Sequence, residues 1–144
     1  MTQEDKQLLF QDLCARLPYG VKVLDNSYKD LGVSKIINIG DYGSILIDNE
    51  MDDIQYYPLI DDIKPYLRPM SSMTEEECIE LGNIEATIEN VSEVIPNVPY
   101  YIEVAYSKQI DWFNAHHFDY RGLIEKGLAI AVTEENNPYK PYKY

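Results

Sequence analysis

Apolar residues first recur at helical spacing. Leu9, Leu13 and Leu17 stand four apart with Phe10 and Cys14 beside them, so residues 3–17 read as a helix. Thr2 can cap it, Glu4 and Asp5 suit its positive end, and Pro18 and Gly20 stop it. The period then shortens. Gly20-Val21-Lys22-Val23-Leu24 alternates as a half-buried strand does. A polar loop, Asp25 to Gly32, precedes a second strand from Ser34 to Ile39. Gly40-Asp41-Tyr42-Gly43 is a turn of hairpin length, and Ser44 to Asp48 is the returning strand. A turn from Asn49 to Asp52 leads into Ile54-Gln55-Tyr56-Tyr57. Pro58 to Ile63 reads as one tight helical turn, and Lys64 to Leu67 as a short strand that Pro65 confines to an edge.

The second half is more helical. Pro69 to Met73 connects, and Thr74-Glu75-Glu76-Glu77 is a capping box that starts a helix. Gly82 is expected to end it. Residues 83–95 suit helix or strand, and Tyr100 to Val104 suits a short strand. Residues 107–118 form a further predicted helix, with Ser107 as cap and Ile110 and Phe113 on one face. Leu123 to Lys126 suits one helical turn, and Gly127 to Val132 a strand. The expectation is one α+β domain over 1–133, β-rich over 20–69 and helical with short strands over 70–133. Its N-terminal half is a small antiparallel sheet or an SH3-like barrel. The first helix and the C-terminal helices pack around it, and 134–144 is a flexible tail. An open four-stranded sheet covered by the first helix is the alternative.

Charge narrows the partners. Among 144 residues, 12 are Lys or Arg and 25 are Asp or Glu, a net charge of -13. Lys and Arg are absent from 36–63 and from 69–107, where acids collect. Such a surface repels phosphate backbones and anionic lipid, which argues against direct nucleic-acid or membrane binding. It suits a basic protein partner, or serves solubility alone. No apolar run approaches the roughly 18 residues that span a bilayer, and the N-terminus is polar and acidic, so the cytoplasm is the expected compartment. Cys14 and Cys78 lack a CxxC partner and read as small, buried or half-buried thiols.

Candidate chemistry is sparse. His116 and His117 are the two histidines, with Asp119 and Asp111 nearby. Neighbouring residues point about 100° apart on a helix, so this pair cannot grip a metal as an i, i+4 pair does. His116, His117 and Asp119 are weak catalytic candidates, and no metal or cofactor is expected. Asp52-Asp53 and Asp61-Asp62 lack the ligand spacing of a calcium loop. Phosphate-binding glycine motifs and nucleophile elbows are absent. Tyrosine is abundant, at 13 residues. Tyr28, Tyr42, Tyr56 and Tyr57 could line a groove for a proline-rich or basic peptide, with Asp52, Asp53, Asp61 and Asp62 beside it; packing across the sheet would explain the tyrosines equally.

Three blocks have a familiar look. MTQEDKQLLFQDLCARLPYGV, IKPYLRPMSSMTEEE and DWFNAHHFDYRGLIEKGLA, at about 1–21, 63–77 and 111–129, resemble a family of small proteins from phages, prophages and mobile elements of gut anaerobes. The resemblance implies a phage-linked accessory protein and carries no activity with it. Three functions follow as expectations: a protein-interaction module, a phage inhibitor mimicking nucleic acid, and an enzyme with a site near His116 and His117.

Overall fold

The computed structural model describes residues 1–94 and 99–139, with side chains for 1–85 and 106–139. Thr2 caps the first helix as predicted: its hydroxyl accepts the Asp5 N–H at 3.0 Å. Helix α1 spans Gln3–Arg16, and Leu9 and Leu13 on its inner face are fully buried.

Among the described residues six strands follow: β1 (Lys22–Asp25), β2 (Val33–Ile39), β3 (Ile45–Asn49), β4 (Ile54–Tyr56), β5 (Ile63–Leu67) and β6 (Ile130–Ala131). They lie in the order β4-β3-β2-β1-β5-β6. All pairs are antiparallel except β5 with β6. From β4 to β5, the strand order, the long loop after β1 and the 3₁₀ turn at Ile60–Asp62 are those expected of a small SH3-like barrel. The register of β2 on β3 shifts between Ile36 and Asn38, as a bulge does.

Alternation sends side chains to two faces. On one, Val21, Val23, Ile36, Ile45, Ile47, Ile63 and Leu67 pack against Leu9 and Leu13 of α1 and Leu123 and Leu128. On the other, Leu24, Val33, Tyr66 and Ile130 meet Val132 and Tyr139. Pro65 does not sit in an edge strand, because β5 lies between β1 and β6. The short β6 pairs only with Tyr66 and Leu67, which leaves Pro65 outside that ladder.

The second half departs further from expectation. Helix α2 runs Glu75–Val94, through Gly82, so 83–94 is helix; Ile95 lies outside the described residues. A Cβ at Gly82 would meet nothing within 4 Å, and α2 packs along the next helix, which offsets the glycine's cost. That helix, α3, runs Pro99–Ala115, so Tyr100 to Val104 is helical and not a strand. Proline at a first helical position loses no hydrogen bond. Within the stretch expected as a tail, Glu134 to Asn136 are exposed and Tyr139 is buried, and 140–144 lie outside the described residues. Cys14 and Cys78 are exposed, not buried. Among the described residues no helix is long and apolar enough to cross a membrane.

Candidate functional site

The segment after α3 carries both histidines and is fixed by two buried arginines. Arg68, which follows β5, forms two 2.7 Å bonds with the Glu77 carboxylate. Its guanidinium lies 4.1 Å from the Phe118 ring centre. Its backbone N–H donates to His117 O at 2.7 Å, and its carbonyl accepts the Asp119 N–H at 2.9 Å. Arg16, at the end of α1, donates to Asp12 at 2.8 Å and to Phe118 O at 2.6 Å. Asp12 also accepts from Arg121 at 2.8 Å. All four partners of these two ion pairs are buried.

The sequence cannot place these contacts, since Arg16 and Phe118 are 102 positions apart. Glu77 carries a second task that the sequence did reveal. It accepts the Thr74 N–H at 2.9 Å while Thr74 Oγ1 accepts the Glu77 N–H at 3.2 Å, which completes the capping box. Burial alone would raise the Glu77 carboxyl, but Arg68 and these bonds outweigh it and hold the group at about 2.

The clamped segment walls a cleft of about 780 Å³. Lys22, Lys35 and Glu50 line it from the sheet side, Thr74, Glu76, Glu77 and Glu80 from the start of α2, and His116, His117 and Tyr139 also line it. Lys22 pairs with Glu50 at 2.8 Å. The Lys35 ammonium and the Glu76 carboxylate have no ion-pair partner among the described residues.

The two imidazoles differ sharply. His116 Nδ1 donates to Trp112 O at 2.8 Å, which leaves Nε2 facing Glu80 at 3.8 Å. Its ring stacks on Trp112 at 4.2 Å. His117 is 7% exposed and has a left-handed backbone, φ 63°. Its ring stacks on Tyr139 at 3.7 Å, and its Nδ1 is buried without a hydrogen-bond partner. Burial first, then the positive charges of Arg16 and Arg68, lower it to about 3, so it is neutral at pH 7.

The third residue grouped with the histidines points elsewhere. Asp119 accepts the Leu123 and Ile124 N–H groups at 2.8 and 2.9 Å, and so caps the next turn. Asp111 faces Tyr19 instead, where burial and then this carboxylate raise the phenol above its usual range. Sequence reasoning missed Lys22, Lys35, Glu80 and Tyr139 as cleft residues. Lys22 and Lys35 are cross-strand partners, and their position on one sheet face was readable from alternation once β1 and β2 were paired. Tyr139 carries no such signal.

The tyrosine and aspartate candidates mostly gather at one end of the sheet. The loop after β1, the turn between β3 and β4 and the 3₁₀ turn before β5 all lie at that end, as the strand registers require. Tyr28 meets Tyr56 edge-on at 5.7 Å, and the Tyr56 hydroxyl donates to Asp25 at 2.7 Å. Burial, with Asp25 beside it, raises Tyr56 above the usual tyrosine range. Asp52 and Asp53 sit in the β3–β4 turn, and Asp61 and Asp62 in the 3₁₀ turn, where Asp61 pairs with Lys6 at 3.4 Å. Tyr57 follows β4. Tyr42 is not part of the group; it is fully exposed on the opposite hairpin turn, with φ 62°.

No family model, no curated protein and no solved structure matches the chain.

Proposed function

We propose that this is a protein-interaction module that binds an extended, basic segment of another protein along the free edge of β4. The observation that supports this reading is the apolar surface beside that edge. Tyr28, Met51, Tyr57 and Leu59 are 58%, 82%, 65% and 70% exposed, and Ile54 in the strand is exposed too. Exposed apolar groups clustered beside an unpaired strand mark a place where another chain adds a strand. The charge sets the partner's sign. Asp52, Asp53, Asp61 and Asp62 border the same end, and the chain has no Lys or Arg from 36 to 63. The resemblance to phage and mobile-element proteins agrees with an accessory protein that acts by binding a host or phage protein. Nucleic-acid mimicry gains no support, since the described acids are divided among the β4 end, the cleft and the exposed β2–β3 turn.

A displayed library of extended peptides tests the reading. The enriched peptides carry net positive charge with alternating apolar residues, and they shift the backbone amides of Ile54, Gln55 and Tyr56. Asp52→Asn with Asp53→Asn weakens binding about tenfold, since an exposed ion pair contributes up to about 1 kcal/mol. Asparagine tolerates the left-handed φ of 54° at Asp53. Enrichment of neutral or acidic peptides, shifts confined to other amides, or self-association through β4 would each overturn the proposal.

A further inference from the structure

The cleft shares no residue with that interaction surface. Its sheet wall carries Lys35 and the Lys22–Glu50 pair, its helix wall carries glutamates, and among the described residues no ion pair joins the two walls. The sheet wall presents Lys35, an exposed ammonium without a carboxylate partner among the described residues. The helix wall presents Glu76, likewise exposed and unpaired, and Glu80, whose Oε2 accepts from the Trp112 indole at 3.0 Å. Glu77 is excluded from ligand binding, because both its oxygens are held by Arg68. A lone anion would meet the glutamates, and a lone cation would meet the lysines.

The part of the cleft lined by His117 and Tyr139 is packed into the protein interior. His117 is more than nine-tenths buried, yet its Nδ1 satisfies no partner, and the residue lines the cleft. A buried polar atom without a partner costs roughly 1–3 kcal/mol, so the packing around this ring, which forms part of the cleft lining, holds it in place against that cost. The His117 carbonyl accepts the Arg68 backbone N–H at 2.7 Å, and its ring stacks on Tyr139 at 3.7 Å. The Tyr139 hydroxyl donates to Tyr66 O at 2.7 Å and accepts the Lys22 N–H at 3.1 Å, which ties this end to the lysine wall. The volume, about 780 Å³, is ample for a molecule of dipeptide size.

We infer that the cleft binds a small zwitterion of the amino-acid or short-peptide class, with its carboxylate toward Lys35 and Lys22, its ammonium toward Glu76 and Glu80, and its body against the His117 and Tyr139 rings. Engaging both walls at once makes the second contact intramolecular, so a zwitterion exceeds either half. The ligand is bound between fixed elements: β1 and β2 supply the cations, and the capped first turns of α2 supply the anions.

The two histidines, the only ones in the chain, make the test direct. Their ring C–H resonances are followed by NMR while diglycine, triglycine and 6-aminohexanoate, which differ in the span between their charged ends, are titrated in. Acetate and methylamine serve as the separate halves. The best zwitterion is expected to move the His117 and His116 resonances saturably, and to bind at least about tenfold more tightly than either half. Lys35→Met and Glu76→Gln each weaken it several-fold and leave the melting temperature unchanged, since both side chains are exposed. No saturable shift with any of the three, equal binding of a half, or unchanged affinity in both variants would overturn the inference.

Discussion

At the scale of single residues, Arg68 decides how the histidine segment is presented. Its guanidinium is buried, 1% exposed, and pairs with the Glu77 carboxylate. A buried ion pair adds little over a well-packed apolar pair, but removing one partner strands a charge in the interior. Glu77→Gln therefore removes this charge pairing from Arg68 and weakens the capping box as well. We expect a loss of about 3 kcal/mol in urea unfolding. Glu76→Gln, one residue away but exposed, is expected within about 0.5 kcal/mol of the parent. Equal effects for the two would mean that the pair is not what holds the segment. Part of this was legible. The Thr74–Glu77 cap is a contact over three residues, and its signature is written locally. Arg68 was not legible, because its partners come from α2 and from the chain past α3, and no periodicity encodes that meeting.

Among the elements, those with short-range signals came out as read. α1 has its cap, its leucine stripe and its stop, and β1 to β5 follow alternation and turn residues. The errors share a cause: a local breaker was overruled by packing. Gly82 does not end α2, and the β-branched run after it does not form a strand, because α2 and α3 pack along each other. Gly82 has no positive φ and open space where a Cβ would stand. Gly82→Ala is thus expected to stabilise the protein by about 0.5–1 kcal/mol, chiefly by restricting the unfolded chain. A raised urea midpoint with unchanged slope would bear this out, whereas a loss would mean that the helix needs glycine there. The docked end at Tyr139 is the converse case. Polar, proline-containing sequence reads as a tail, yet the Tyr139 ring is buried and its hydroxyl bonds the Lys22 N–H and Tyr66 O.

For the whole molecule, the candidate site joins elements from both ends of the chain, and its stability inherits their titrations. His117 sits at about 3 rather than 6.5 because burial and the nearby Arg16, Arg68, His116 and Lys22 disfavour its charged form. The unfolded chain takes up this proton near 6.5 and the folded chain resists it until about 3. The His117 contribution is therefore complete above pH 6.5 and drains away as pH falls toward 3. Glu77 behaves likewise in a lower window. Its folded value of about 2 lies under the usual 4.5, so its contribution is present above 4.5 and lost toward 2. Between pH 6.5 and 4.5 only His117 of these two acts, with a slope of up to about 1.4 kcal/mol per pH unit. His117→Asn keeps a residue that tolerates the left-handed backbone while removing the titration. The parent protein should lose stability between pH 6.5 and 4.5 as followed by urea unfolding, the variant should hold a flat value there, and both should fall at lower pH as Glu77 takes its proton. A parent curve that is level across the upper window would mean that His117 is charged in the fold, and the buried, stacked geometry assigned to it would have to be abandoned.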